Sequence, residues 1–414
     1  MTEKRIRVEK QIGRQTLSFE TGQLAKQAAG SVLVQYGETV VLVAAASSDP
    51  RPGLDFFPLT CDYRERLAAA GKFPGGFLKR EGRPSTKETL SARLMDRPIR
   101  PLWPAGFRDE VQVQAFVIAS DLQNDGDVLA MNGAALALHV SELPFQGPVA
   151  SVRVGKVDGE LIAFPTHDQL EESELDMIVS GSREQVAMIE GFAQEMPEDR
   201  MMEAIQFAHG VIREVIDLQE ELYQKVNPTK KEWIAPEDDG LFQRLQDSYY
   251  DEFRAAQQTP GKQDRADAVR ALRERAMAEV IPDPDAEGAV EPKRFSSVWH
   301  DLEEKVVRDL IASGTRPDGR DNTSLRSIYC ETDLLPRVHG SALFQRGETQ
   351  SLVTVALGTS RVEQRVDGLM DEYSEKFMLD DNVRSFSVGE CRPIRGPGRR
   401  EGGEGCRGER GVGG

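Results

Sequence analysis

The chain has few of the residues that build redox, metal and membrane sites. Only Cys61, Cys330, Cys391 and Cys406 are cysteines, widely scattered and without a Cys-x-x-Cys pair, which excludes a disulfide framework and a cysteine zinc site and leaves reduced thiols as the expectation. The five histidines, at 139, 167, 209, 300 and 339, show no ligand spacing, so each is expected to be structural; His339, beside Gly340, is the one kept open. No GxxxxGK[ST], HExxH or GxSxG motif is present, which removes P-loop, zincin and serine-hydrolase chemistry. Aromatic residues are 7% of the chain, and no apolar run approaches the roughly 18 residues that cross a bilayer. Met1–Arg7 is basic but no apolar stretch follows it, so no secretory signal is read and the expected compartment is the cytoplasm. Positive charge is also in deficit, 52 Lys and Arg against 69 Asp and Glu, net -17. That balance excludes a nonspecific nucleic-acid coat, so a polyanion would have to meet a local basic stripe.

What is present begins with a duplication. Gly30-Ser31-Val32-Leu33-Val34-Gln35-Tyr36-Gly37-Glu38-Thr39 is echoed by Gly340-Ser341-Ala342-Leu343-Phe344-Gln345-Arg346-Gly347-Glu348-Thr349, and the echo runs on through Leu42-Val43 and Leu352-Val353. The separation far exceeds the about 20 to 50 residues of a solenoid repeat, so a duplicated domain is implied. Each copy reads as strand, tight glycine turn, strand. The shared Gly-Glu-Thr is explained by turn chemistry, with a direct catalytic role as the alternative.

Between the copies, 111–117 alternates as a strand, 128–143 reads as an apolar helix and 175–179 as a strand. Ser182 and Glu184-Gln185 have capping-box spacing, which predicts a helix through Ala193, and Pro197 suits the first turn of the next one. Residues 201–226 carry apolar positions three and four apart, 241–280 continues as charged helix broken at Thr259-Pro260-Gly261, and 298–311 is a further helix. The acidic faces of this helical stretch are read as solvated.

Residues 72–100 concentrate Lys72, Lys79, Arg80, Arg83, Lys87, Arg93, Arg97 and Arg100 against Glu81, Glu88 and Asp96. Phe73-Pro74-Gly75-Gly76-Phe77-Leu78 within them reads as a flexible loop that can stack bases while cations hold the backbone. Ser85 and Glu88 form a capping box opening a helix that Pro98 ends. Arg93 and Arg97 would share a face of that helix and could fork onto phosphate oxygens; pairing with Glu81, Glu88 and Asp96 at a subunit interface is the alternative. A second cluster, Arg392 to Arg400 among Gly and Pro, could converge on an anion or be a solvated basic loop.

The stretches Phe73–Ser85 and Arg93–Leu102, with Thr315–Arg320, His339–Gln350 and Gly389–Arg400, closely resemble the polynucleotide phosphorylase family. The resemblance implies an α+β fold of duplicated ribonuclease PH-type domains, the second incomplete, joined by an all-helical domain. The expected boundaries are 1–215, 216–312 and 313–401, with a Gly-rich tail over 402–414 that composition alone makes disordered. It further implies phosphorolytic 3'-to-5' degradation of single-stranded RNA in mRNA turnover: inorganic phosphate releases nucleoside diphosphates, reversibly, with Mg2+. A homotrimer, possible membership of an RNA-degrading assembly and no membrane association are also implied.

By the same resemblance Phe77, Leu78, Lys79 and Arg80 line an RNA channel entrance, Arg83 also binds RNA, Arg93, Arg97 and Arg100 hold the RNA path, and Arg320 supports binding. Arg399 and Arg400 match a pair that contacts RNA or phosphate near the active site. The family's phosphate-binding serine and metal-binding Asp pair fall beyond position 400 and are not in this chain. Asp176 aligns with one such acid in the first copy, but Leu170 stands where the other would be. The tail keeps Gly403, Gly405, Glu409 and Arg410 in register while its other positions depart, which reads as a partial or faulty gene sequence. The chain as written is therefore expected to be inactive; the alternative is a non-catalytic RNA-binding or trimer-scaffold fragment.

Overall fold

The computed structural model describes residues 5–51, 56–75, 77–234, 239–283, 286, 288–383, 385–388, 391, 393, 401 and 403. Two compact units emerge, Met1–Ala235 with Ser360–Gly414, and Pro236–Thr359. No helix among the described residues is long and apolar enough to cross a membrane.

The first unit opens with strands β1 (Ile6–Ile12), β2 (Gln15–Thr21), β3 (Gly30–Tyr36), β4 (Thr39–Ser48) and β5 (Leu59–Glu65), then helix α1 (Thr86–Ile99), strand β6 (Glu110–Ala119) and helix α2 (Gly126–His139). The sheet order is β1-β2-β3-β4-β6-β5, antiparallel except for the parallel β5–β6 pair. In β3 and β4 alternate residues face the core, so Val32, Val34, Val41 and Val43 are buried. Every residue of α2 is buried, as suits a helix that is apolar on all sides apart from Asp127, Asn132 and His139. The helix approaches so closely that a Cβ on Gly30 would sit 2.1 Å from the Ala137 carbonyl oxygen. Pro98 lies inside the last turn of α1, which runs one residue past it.

A second sheet follows from β7 (Ala150–Val157), β8 (Glu160–Ala163), the short helix α3 (His167–Glu171), β9 (Leu175–Gly181) and β10 (Val186–Ala193), in the order β10-β9-β7-β8. Buried Asn132 ties the layers together: its Nδ2 donates to the Ser151 carbonyl at 2.9 Å, and its Oδ1 accepts from the Ser151 N–H at 2.9 Å. The helix expected up to Ala193 is instead strand β10. The Ser182 hydroxyl accepts from the N–H groups of Glu184 and Gln185 at 3.2 and 3.1 Å, a local turn that mimics a cap. The chain then pairs antiparallel with β9 through a bulge after Val186. Long helix α4 (Glu198–Val226) packs its Ala208, Ile212, Val215 and Leu222 face into the same core, behind Pro197 at its N-cap.

In the second unit, α5 (Leu241–Gln257), α6 (Lys262–Val280) and α7 (Pro292–Ala312) enclose a separate core. Trp299 stacks on Phe253 and Phe295, with ring centroids 4.9 and 5.6 Å apart. Strands β11 (Ile328–Thr332), β12 (Gly340–Arg346) and β13 (Thr349–Val355) form a three-stranded antiparallel sheet. The two copies of the repeat have the same register, Tyr36 opposite Thr39 and Arg346 opposite Thr349. Gly37 and Gly347 turn with φ of 60° and 61°, conformations that glycine adopts without steric cost. The packing differs: Val43 and Ala45 are fully buried, whereas the corresponding Val353 and Val355 are 40% and 47% exposed.

Back in the first unit, β14 (Gln364–Val366) and β15 (Tyr373–Glu375) make a hairpin. Leu369 at its tip is buried in the first unit's core. Most of the Gly-rich tail, whose disorder composition suggests, falls outside the described residues.

Candidate nucleic-acid interface

The loop after β5 carries its aromatic and basic residues outward. Phe73, Phe77 and Leu78 are 86%, 99% and 79% exposed, a large apolar area to leave in water and one suited to stacking on bases. Lys79, Arg80 and Arg83 are exposed, and no hydrogen bond or ion pair engages them among the described residues. The downstream end of the loop is held by charge. Arg66 pairs with Glu81, the Leu67 N–H donates to Glu81 at 3.2 Å, and Arg64 donates to the Gly82 carbonyl at 2.7 Å. Burial opposes ionisation of Glu81, but Arg66 and the Leu67 N–H outweigh it and hold the carboxyl below its ordinary range. The Arg66 guanidinium in turn lies over the Phe116 ring, 5.0 Å from its centroid.

Helix α1 follows directly, and its capping box is complete: the Glu88 N–H donates to Ser85 Oγ at 3.1 Å, and the Ser85 N–H to Glu88 Oε2 at 2.7 Å. Its arginines are disposed differently from those of the loop. Arg97 pairs with Glu190 of β10. Arg100 grips Asp96, with Nε 2.9 Å from Oδ2, and donates to the Leu59 carbonyl at 3.0 Å. Arg93 is half-buried beside Gly403, where an added Cβ would lie 3.0 Å from its Nη1. In the second unit Arg320 donates to Asp318 at 2.9 Å and to the Ser324 carbonyl at 2.6 Å, bracing its own turn. Arg399 and Arg400 lie outside the described residues.

A buried charge network at the N-terminus of α2 was not anticipated from sequence. Arg153 of β7 reaches three carboxylates, Asp125 at 3.0 Å, Asp127 at 3.2 Å and Asp176 at 3.1 Å. Lys87 of α1 joins Glu65 at 2.8 Å and Asp125 at 3.1 Å, and the Tyr63 hydroxyl donates to Glu65 at 2.9 Å. Burial pushes the Asp127 carboxyl up, helped by Asp125. Burial acts on Asp125 in the same sense, but Lys87 and Arg153 outweigh it and hold that carboxyl down. The acids Asp125 and Asp127 at the start of an apolar helix were visible in sequence as a helix-dipole signal; their partner on a strand beyond the helix was not.

The electropositive end of a helix ordinarily welcomes an anion, and here the protein's own carboxylates take that place. Asp176, the acid that the resemblance sets against a family metal ligand, pairs with Arg153 at 3.1 Å. The described residues contain no group of three His, Cys, Asp or Glu arranged for a metal ion. The histidines divide similarly. His139 is buried and stacked on Tyr223 at 4.2 Å, and burial, with Lys230, lowers its pKa to about 4. His339 Nδ1 accepts the Leu357 N–H at 2.8 Å, a structural use in the second hairpin.

The profile of the 3' exoribonuclease family, domain 1, matches residues 14–144 and 324–406, and that of domain 2 matches 147–211. The profile described as polyribonucleotide nucleotidyltransferase, RNA binding domain, matches 240–321. A polyribonucleotide nucleotidyltransferase of Rhodopirellula baltica is 78% identical over 412 residues, covering 100% of this chain and 55% of that protein. The chain belongs to the polyribonucleotide nucleotidyltransferase family. Polyribonucleotide nucleotidyltransferases of Sorangium cellulosum and Heliobacterium modesticaldum are 47% and 46% identical, covering 98% and 97% of this chain and 54% and 57% of theirs. The chain thus spans about half the length of the curated relatives it matches. That the domain 1 profile matches twice is the counterpart of the duplicated hairpin.

Proposed function

We propose that this chain supplies the RNA-capturing front part of a phosphorolytic 3'-to-5' exoribonuclease acting on single-stranded RNA in cytoplasmic mRNA turnover. Inorganic phosphate would be the acceptor, and nucleoside diphosphates the products. The observation that carries the reading is the loop of 73–83: exposed Phe73 and Phe77 beside exposed Lys79, Arg80 and Arg83 that no carboxylate among the described residues neutralises. Stacking faces plus free cations are what a single strand needs, with the aromatics tolerant of base identity and the cations following phosphates. Arg93, Arg97 and Arg100 on α1, and Arg320 and Arg399-Arg400, extend the path by family resemblance. The resemblance also supports a homotrimer, Mg2+ dependence of the complete enzyme and an RNA-degrading assembly as its setting.

A second reading, RNA binding without chemistry by a polypeptide limited to these 414 residues, is favoured by one observation. Arg153 engages Asp176, and with it Asp125 and Asp127 at the α2 N-terminus, so Asp176 is ion-paired and the chain's own carboxylates fill that helix end. Phosphate-dependent release of nucleoside diphosphate from oligo(A), assayed with Mg2+ alongside RNA binding, separates the readings. Binding without release is expected; release would overturn the non-catalytic reading of this polypeptide, and absence of binding would overturn the role given to the loop.

A further inference from the structure

The RNA-facing loop is held at its downstream end by Arg64 and Arg66, as described, but its upstream end is held by a distant part of the chain. Lys72 Nζ donates to the Met370 carbonyl oxygen at the tip of the β14–β15 hairpin. Its ammonium also lies 3.8 Å from Asp371, whose side chain is 97% exposed, so water screens that pair and the carbonyl bond is the specific contact. Asp367 closes on the same stem: a Cβ placed on Gly75 would be 2.9 Å from its Oδ2. The tip is itself anchored, because Leu369 is only 5% exposed and belongs to the first unit's apolar core.

We propose that Lys72 and Leu369 are positioning residues for RNA capture, a role that rests on the loop being the RNA-contacting surface. Leu369 seats the hairpin tip, the tip presents the Met370 carbonyl, and Lys72 fastens the upstream stem to it. With Glu81 and Gly82 fastening the downstream stem, Phe77, Lys79 and Arg80 are offered from a loop tied at both ends. Such a tie lowers the ordering cost of binding without adding a contact to the ligand. Residues 364–375 thereby act on RNA they need not touch.

The test uses the full 414-residue chain and fluorescein-labelled oligo(A), with anisotropy read over a salt series and hydrogen exchange read on 72–83. Lys72→Met and Leu369→Ala are each expected to speed exchange in 72–83 and to weaken binding about tenfold, with the salt slope unchanged because no phosphate contact is lost. Lys72→Arg, which retains a donor to the carbonyl, is expected to restore both. Arg80→Ala reports on the underlying reading: if it leaves affinity and slope unchanged, the loop is not the RNA surface. If Arg80→Ala weakens binding while Lys72→Met leaves affinity and loop exchange at wild-type values, the positioning role is overturned. Should Leu369→Ala loosen the core strands as well, the comparison of Lys72→Met with Lys72→Arg decides, since neither residue lies in that core.

Discussion

Arg153 Nε lies 3.1 Å from Asp176 Oδ1, and this contact joins β7 to β9. The same guanidinium holds Asp125 and Asp127, so one side chain links three carboxylates, with Lys87 as a second cation on Asp125. Removing the guanidinium would leave those charges facing one another. Arg153→Met is expected to destabilise the first domain by about 3–5 kcal/mol, the usual cost of a buried charge without its partner. Asp176→Asn, at the more exposed rim, should cost about 1 kcal/mol. Urea unfolding followed by circular dichroism measures both; coincident midpoints for Arg153→Met and wild type would contradict the account.

Burial holds His139 neutral down to a pKa of about 4, against an ordinary value of 6.5. Between these values the unfolded chain takes up a proton that the folded chain refuses, so stability falls as pH is lowered from about 6.5 towards about 4. A shift of that size corresponds to about 3 kcal/mol at 1.36 kcal/mol per unit. His139→Phe, which keeps a ring against Tyr223, should flatten this part of the stability curve. Melting temperatures at pH 7, 6, 5 and 4.5 provide the comparison, and equal acid losses in both proteins would count against it.

In the proposed RNA-capturing role, Lys79, Arg80 and Arg83 act as cations that no carboxylate among the described residues engages, and Phe77 as a stacking face. Each of Lys79→Ala, Arg80→Ala and Arg83→Ala should reduce the slope of log affinity against log salt by about 0.7, the value per phosphate for a single strand. Phe77→Ala should cost about 1–3 kcal/mol of binding with the slope unchanged. Arg100→Ala should act chiefly on stability, because its guanidinium is already committed to Asp96 and the Leu59 carbonyl. A full slope change for Arg100→Ala, measured in the same titrations, would mean that RNA displaces Asp96.

Ser85 starts α1 immediately after the loop, and its capping box is formed on both sides. Ser85→Ala should lower stability by about 0.5–2 kcal/mol, while Ser85→Asp should retain most of it. Urea midpoints of the two variants make the test; equal losses would show that side-chain capping is not what Ser85 supplies.

By itself the sequence determined the features that depend on neighbours in the chain. The two hairpins follow from alternation and from glycines at the turn positions, and the α1 capping box from Ser85 and Glu88 three residues apart. The exposed aromatic loop follows from glycine and proline around phenylalanine, and the helical stretch from its three- and four-residue apolar spacing. Local rules failed where a tertiary partner competed with them. Ser182 carried the spacing of a helix cap, yet the free edge of β9 drew 186–193 into strand β10. Only the tertiary structure decided which charges are spent and which are free. Arg97 and Arg153 look no different in sequence from Arg80 and Arg83, but their partners Glu190 and Asp176 meet them through folding, whereas Arg100 pairs with Asp96 one helical turn away. Coulomb attraction depends on distance in space, and the placement of a cation opposite its carboxylate is settled by packing of the elements that carry them.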